Sequence, residues 1–192
     1  MPFPLLVSGV GVAATLAALW EAFGTGRPQG ILALGIAGSY KPDILPGEAV
    51  WVQSERLADT GRRYRRKFIP TPPHLRGDFP LAWEGTSPPA WLPLPAVEGL
   101  TIQSVSGSPH EARFWQRNYP NAAIETQENA AFFLFAWRHR LPLVSVRIIS
   151  NRVGSPKWYK DLALQNLHTF AQRYVAPLCE WILEGAASPS PK

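Results

Sequence analysis

The stretch that decides the fold is ETQENAAFFLFAW at residues 125–137, followed by PLVSVRIISN at residues 142–151. The first segment predicts a helix that begins near two carboxylates, Glu125 and Glu128, and then becomes apolar on every side. The second predicts a buried strand that carries Arg147 in its interior and ends in a Ser-Asn pair. Charge at a helix start and at the mouth of a buried strand is where α/β folds place ligand chemistry.

Outward from this pair, the chain alternates between apolar strand patterns and helical patterns. The predicted strands are 3–10, 30–38, 48–58, 99–107, 122–125 and 142–150. The predicted helices are 13–23, 108–119 with Ser108 as its cap, 127–139 and 158–184. Strands that alternate with helices predict a three-layer α/β/α domain. We expect one domain over residues 1–184 and a frayed tail over residues 185–192.

Composition narrows the class of protein. The chain of 192 residues is 46% hydrophobic and 17% charged, which is typical of one globular domain with a real core. The single cysteine, Cys179, excludes an intramolecular disulfide and favours a reducing compartment. No signal peptide is expected, and no apolar stretch approaches the roughly 18 residues of a membrane span. A cytoplasmic enzyme is therefore the default expectation.

Two segments predict loops. Residues 70–95 hold eight of the 20 prolines, so we expect a loop there, one that packs over a site. RRYRRK at 62–67 holds five of the 19 basic residues of a chain with net charge +5. Because no nucleic-acid-binding module accompanies this run, a solvated loop is favoured over nucleic-acid binding. Capture of an acidic substrate or of a partner subunit remains open.

Three groups of residues are candidates for chemistry. The glycine turn GIAGSY at 35–40 follows a buried strand, and glycine lets a backbone approach a ligand. SGVGVAA at 8–14 is a similar turn without the third glycine of a dinucleotide fingerprint. Glu128 precedes a wholly apolar run, so its carboxylate needs either the helix dipole or a ligand such as vicinal hydroxyls. Arg147 needs a partner or hydrogen bonds, because an unpaired buried charge is costly, and a structural ion pair is the simplest alternative. Asn151 lies at the carboxyl end of the same strand, where open α/β sheets bind ligands.

These motifs carry a resemblance. ETQENAAFF followed by VRIISN resembles the helix-then-strand signature of the purine nucleoside phosphorylase and nucleosidase superfamily. LGIAGSY, PGEAVWVQSERLADTG and YPNAAIETQENAAF resemble the futalosine hydrolase family within it, as does SNRVGSPKW. The similarity runs from about residue 8 to residue 168. It implies a central mixed sheet, a small-molecule nucleoside substrate, a homodimer, and no metal or organic cofactor.

The resemblance also implies roles for individual residues. Glu128 matches the glutamate that binds the ribose hydroxyls, Asn151 the residue that contacts the purine at N7 and O6, and Arg147 the arginine that helps to place the attacking water. The remaining matches line the substrate: Ala37 and Gly38 at the ribose and water site, Val105 and Ser106 at the base-stacking wall, Gln127 before the ribose glutamate, and Trp158 at the lid.

The implied activity is hydrolysis of the N-glycosidic bond of futalosine, which releases hypoxanthine on a route to menaquinone. Adenine-releasing relatives carry aspartic acid where this chain has Asn151, and an amide donor suits hypoxanthine. The chain departs from the family in starting at what resembles the second strand, without the first strand and its acidic residue. Gln127 and Asn129 replace a methionine and a glycine. An adenine-releasing methylthioadenosine/S-adenosylhomocysteine-type nucleosidase, a phosphorylase, and a catalytically silent nucleoside-binding homologue remain alternatives.

Overall fold

The computed structural model describes residues 3–185 and 188–192 of the chain. The strands are β1 (Ile31–Ser39), β2 (Ala49–Leu57), β3 (Gly61–Tyr64), β4 (Lys67–Pro70), β5 (Ala82–Glu84), β6 (Ala96–Thr101), β7 (Ala122–Thr126), β8 (Leu143–Arg152) and β9 (Ser190–Pro191). The helices are α1 (Val12–Thr25), α2 (Pro73–Arg76), α3 (Pro109–Asn118), α4 (Asn129–His139) and α5 (Lys160–Gly185).

Seven strands form one mixed sheet in the order β6-β7-β1-β8-β2-β5-β9. β1 is parallel to β8 and antiparallel to β7, whereas β6 is parallel to both β7 and β2. Because β6 also pairs with β2, five strands close on themselves as a small barrel, and β5 and β9 extend the sheet from β2. The predicted central mixed sheet is confirmed.

Helices cover both faces of the sheet, which confirms the three-layer prediction. On β8, Val144, Val146 and Ile148 pack against α5, because alternate side chains of a strand point to opposite faces. The other face packs against α4, with α1 behind it; α4 buries Phe133 and Phe135 there. Arg147 belongs to this second face by the same alternation. In the described part of the chain, no helix combines the length and apolarity needed to cross a membrane.

The predicted strand at 3–10 is wrong. This segment forms no strand, and it leaves Leu5 91% exposed and Val7 83% exposed. A strand requires a partner for its backbone, and the described strands beside β1 are β7 and β8. Two glycines with positive φ, Gly9 (76°) and Gly11 (88°), then turn the chain into α1.

The basic run is also more ordered than expected. Residues 61–70 form the hairpin β3–β4, in which Tyr64 pairs with Lys67. Arg65, in the turn, has a left-handed conformation (φ 54°). The guanidinium of Arg63 lies over the rings of Phe114 and Trp115, at 4.7 and 5.0 Å from their centroids. Arginine is polar in sequence but packs on aromatic rings here, so the run lacks the alternation of apolar and polar residues that predicts a strand.

The proline-rich segment and the tail contain regular structure that we did not predict. Residues 70–95 include α2 and β5, and β5 buries Trp83 completely. In the expected frayed tail, Ser190 and Pro191 pair with β5 as the edge strand β9. An edge position tolerates proline because one side of the strand needs no donor. β6 ends at Thr101 rather than at residue 107, whereas the Ser108 cap of α3 is confirmed by its bond from the Glu111 amide.

Candidate active site

The predicted glycine turn at 35–40 is wrong, because strand pairing continues through Ser39 and places both glycines inside β1, between β7 and β8. Gly38 of β1 pairs with Glu125 of β7 on one side and with Asn151 of β8 on the other. The register of β1 and β8 shifts between Ala37 and Gly38. A Cβ atom on Gly38 would lie 2.9 Å from Val153 Cγ2 and 3.3 Å from Asn151 Nδ2, so the close approach requires glycine.

Glu128 lies where two helices begin. It is the N-cap residue of α4 and is partly buried. Its Oε1 accepts a hydrogen bond of 3.0 Å from the backbone amide of Gly11, the N-cap residue of α1. Positive helix ends attract a carboxylate, so the Gly11 amide and the two helix starts hold this side chain in one orientation. Among the described residues, Oε2 has no hydrogen-bond donor and is available to a ligand.

Glu125 belongs to β7, which confirms the strand predicted at 122–125 and corrects the interpretation of Glu125 as a carboxylate at the helix start. It is 5% exposed and accepts from the Ser106 amide at 2.8 Å, the Ser106 hydroxyl at 2.7 Å and the Tyr40 hydroxyl. Burial and the neighbouring Glu125 raise the pKa of Tyr40, which keeps the phenol a donor. Glu125 therefore anchors the loop after β6.

Arg147 is buried and is held by polar oxygens rather than by a close carboxylate. Its Nη1 donates to the carbonyl oxygens of Ala33 and Val146, both at 3.2 Å, and its Nη2 donates to Asn129 Oδ1 at 2.6 Å. A Cβ atom on Gly35 would come within 3.3 Å of Nη1, so this glycine makes room for the guanidinium. Burial lowers the pKa of Arg147 to about 10, and it stays cationic at neutral pH.

The side-chain amide of Asn151 is oriented by its neighbour. The Ser150 hydroxyl lies 2.9 Å from Asn151 Oδ1 and 3.2 Å from the carbonyl oxygen of Ala37, and it shares its one proton between them. Asn151 Nδ2 donates to the Arg152 carbonyl at 3.1 Å, which leaves its second N–H for a ligand. Trp158 forms an isolated antiparallel β-bridge with Asn151, and Trp158 is 60% exposed.

The remaining candidates lie around the same strand ends. Gln127 Nε2 donates to the Gln103 carbonyl at 2.9 Å, which ties the residue before Glu128 to the loop after β6. In that loop Val105 is 55% exposed, whereas the Ser106 side chain is committed to Glu125. Val105 is thus free to form an apolar wall, and Ser106 positions that wall.

Sequence reasoning did not assign a role to Glu55 or Asn129. Glu55 of β2 is 1% exposed, and burial raises its pKa to about 7. Asn129 Nδ2 donates to Glu55 Oε2 at 2.5 Å. The sequence did contain a signal for Glu55, because a carboxylate lies inside the strand pattern of residues 48–58. A charged residue inside a predicted strand is also what singled out Arg147. The described residues contain no group of three or more metal-binding side chains.

Comparison with known proteins agrees with this geometry. The model of the phosphorylase superfamily matches residues 4–180. A futalosine hydrolase of Acidothermus cellulolyticus is 32% identical over 180 residues, which cover 87% of this chain and 73% of that protein. A futalosine hydrolase of Streptomyces coelicolor is 30% identical over 163 residues, which cover 78% of this chain and 67% of that protein.

Solved structures share the fold. The 5′-methylthioadenosine/S-adenosylhomocysteine nucleosidase of Neisseria meningitidis, in complex with methylthio-immucillin-A, superposes with a TM-score of 0.71 at 14% identity, covering 88% of this chain and 78% of that one. The corresponding nucleosidase of S. pneumoniae gives 0.69 at 15% identity, covering 88% and 77%. With the family model matching most of its length, the chain belongs to the phosphorylase superfamily.

Proposed function

We propose that this chain hydrolyses the N-glycosidic bond of a purine nucleoside and that futalosine is its preferred substrate. The coarser activity, as an N-glycosyl hydrolase, follows from its futalosine hydrolase relatives. The observation that carries the finer proposal is the position of Gly38, beside both β7, which leads to Glu128, and Asn151. One position of β1 thus lies between the strand that leads to the acidic group and the strand that carries the amide donor.

The acidic group suits the sugar. Cleavage of an N-glycosidic bond passes through a ribosyl cation with oxocarbenium character. A carboxylate that grips the ribose hydroxyls stabilises that charge, provided that it is oriented before the reaction. The bond from the Gly11 amide supports this role for Glu128, because it fixes one oxygen and leaves the other for a hydroxyl.

The amide donor suits the leaving base. Departing hypoxanthine gains negative charge, which a donor at N7 or O6 stabilises. The Ser150 hydroxyl beside Asn151 Oδ1 supports an orientation in which Nδ2 points its free N–H to the base. Water adds its hydroxyl to C1′ of the sugar, and its remaining proton goes to the base.

Water is favoured over phosphate as the acceptor. The resemblance implies that phosphorylases carry an arginine just before the glycine turn, where this chain has Gly35. Without that charge, a phosphate dianion loses a charge-assisted partner. Arg147 is committed to two carbonyl oxygens and to Asn129, which leaves its Nη2 one further N–H with which to orient a water molecule.

We also propose a homodimer acting in menaquinone biosynthesis, with a cytoplasmic location as predicted from the sequence. Support for an interface comes from apolar side chains exposed near one another in sequence: Leu5, Val7, Val10 and Trp20 are 91, 83, 72 and 53% exposed. Sedimentation of the purified chain tests this part. A monomer at all concentrations would contradict it.

The experiment that tests the activity is a base-release assay. The chain is incubated with futalosine, inosine and methylthioadenosine, each with and without phosphate, and the free bases are identified by chromatography. We expect hypoxanthine from futalosine, at a rate that phosphate does not raise. Preferential release of adenine would identify the adenine-releasing alternative, strict phosphate dependence a phosphorylase, and binding without cleavage a silent homologue.

A further inference from the structure

Three buried polar side chains form a continuous connection behind the candidate site. Glu55 on β2 is 1% exposed, Asn129 at the start of α4 is 0% exposed, and Arg147 on β8 is 2% exposed. The amide of Asn129 links the two charged groups: Nδ2 donates to Glu55 Oε2 at 2.5 Å, and Oδ1 accepts from Arg147 Nη2 at 2.6 Å. The proposed function uses only Arg147 of the three.

The barrel is built to hold this connection. A Cβ atom on Gly99 would lie 2.4 Å from Glu55 Oε2, so glycine is required there to admit the carboxylate. The Thr101 hydroxyl donates to the other oxygen of Glu55 at 3.1 Å. Burying charge is costly, and apolar replacements of buried ionic groups are often neutral or stabilising. These buried polar groups lower the stability of the fold and lead to the candidate site, so we expect them to serve function.

We propose that Glu55 and Asn129 are positioning residues that together set the orientation of the Arg147 guanidinium. An ionised Glu55 only accepts, so it takes the N–H of Asn129 and turns the amide oxygen towards Arg147. A protonated Glu55 can donate its O–H to the amide oxygen of Asn129. The amide then turns its N–H₂ group towards Arg147, where it meets the N–H groups of the guanidinium and cannot accept from them. The kinetic consequence rests on the proposed function, in which Arg147 places the water; the orientation itself does not.

The groups facing Glu55 make its ionisation responsive near neutral pH. The charged group that acts on Glu55 is Arg147 of β8. The residues that face Glu55 from α4, β6 and β5 are uncharged: Asn129, Gly99, Thr101 and Trp83. Burial raises its pKa to about 7. A raised pKa means that the folded state favours the protonated form of Glu55. The contribution of this residue to the free energy of unfolding is therefore complete below the ordinary pKa of a glutamate and is lost as pH rises through 7.

Nuclear magnetic resonance tests the orientation without requiring activity. The side-chain NH₂ signals of Asn129, assigned by their absence in Asn129→Ala, are followed during a pH titration. We expect them to shift with a midpoint near neutral pH in the wild type and to stay fixed in Glu55→Gln, which cannot titrate. Signals that do not respond to pH in the wild type would overturn the proposal.

Kinetics test the consequence with a set of graded variants. Glu55→Met removes the acceptor, and Asn129→Ala removes the bridge; each should lower kcat by on the order of 10–100-fold with little change in KM, because Arg147 is misplaced. Glu55→Gln keeps an acceptor, so it should rescue kcat while flattening the pH profile near neutrality. Ser145→Ala is the matched control, since it removes the other donor to Asn129 Oδ1 at 2.8 Å and leaves the connection intact.

The outcomes separate this inference from the proposed function. Melting temperatures identify any variant that fails to fold, and Glu55→Gln should be more stable than the wild type at about pH 8.5 but not at about pH 5.5. Wild-type kcat and pH profile in both Glu55→Met and Asn129→Ala would overturn the positioning role. If the wild type cleaves no nucleoside, the proposed function fails, and the Asn129 titration still decides the orientation.

Discussion

At the scale of single residues, Glu128 illustrates how backbone groups prepare a carboxylate. The amide of Gly11 donates to one oxygen, and Glu128 itself lies where α4 begins. Gly11 has φ 88°, a conformation that favours glycine, so the donor depends on a residue without a side chain. The carboxylate is consequently oriented before any substrate arrives, which is the condition for electrostatic stabilisation.

Glu128→Gln should abolish most turnover while the fold stays intact. The substitution keeps the size of the side chain and removes the carboxylate that we propose lies beside the ribosyl cation, a loss commonly on the order of 10²–10³ in rate. Steady-state cleavage of futalosine measures it, with circular dichroism to verify folding. Glu48→Gln is the control, because Glu48 is exposed and, among the described residues, its carboxylate accepts only from the Leu45 amide. Wild-type turnover in Glu128→Gln would make Glu128 a cap of α4 and nothing more.

Asn151→Asp should shift base preference from hypoxanthine towards adenine nucleosides. An aspartate meets O6 of hypoxanthine with a second acceptor, whereas its protonated form donates to N7 of adenine and accepts from the exocyclic amine. Sites that depend on specific hydrogen bonds discriminate well, because the wrong partner leaves buried groups unpaired. The ratio of kcat/KM for inosine-type over adenosine-type substrates measures the change.

Asn121→Asp, at an exposed position, is the control for Asn151→Asp. It introduces the same charge and should leave the ratio unchanged. Equal ratios in wild type and Asn151→Asp would place Asn151 outside the base pocket.

At the scale of elements, α4 and β8 behaved as their sequences predicted, for a clear reason. Both are mainly apolar, and both are buried: α4 packs against the sheet and α1, and β8 lies within the sheet and packs against α5. The local sequence pattern therefore agrees with the tertiary environment. The same agreement makes Arg147 and Glu128 recognisable, since a charge stands out in an apolar run. Glu55 is harder to find because its strand alternates with polar residues.

Elements whose form depends on distant partners escaped prediction. β5 is three residues long and is a strand because β2 and β9 flank it. The segment 3–10 has the composition of a strand and lacks a described partner, so pattern alone misleads there. In the site, the bond between Glu125 and Ser106 joins residues 19 positions apart, and no local signal announces it.

Ser108→Ala should destabilise the fold by about 1 kcal/mol, because the Ser108 hydroxyl caps α3 by accepting from the Glu111 amide. Urea unfolding followed by circular dichroism measures the free energy of unfolding. Ser104→Ala, at an exposed position outside the helix, should change it little. An equal effect of the two substitutions would show that the cap does not stabilise α3.

At the scale of the whole molecule, the closed sheet brings distant segments together at one position of β1. β1 lies between β7 and β8, so Gly38 becomes the neighbour of residues 87 and 113 positions away, Glu125 and Asn151. Closure through β2 and β6 also brings Glu55 to Asn129 and thus to Arg147. The chemistry that we propose depends on this closure, because each group comes from a different strand or helix start.

The central claim is that water, rather than phosphate, cleaves a purine nucleoside here. The most direct measurement is mass spectrometry of the sugar product after futalosine is incubated with the chain in heavy-oxygen water that contains phosphate. We predict free hypoxanthine and a sugar product that carries one heavy oxygen at C1′. A sugar 1-phosphate without the label, or intact futalosine after prolonged incubation, would contradict it.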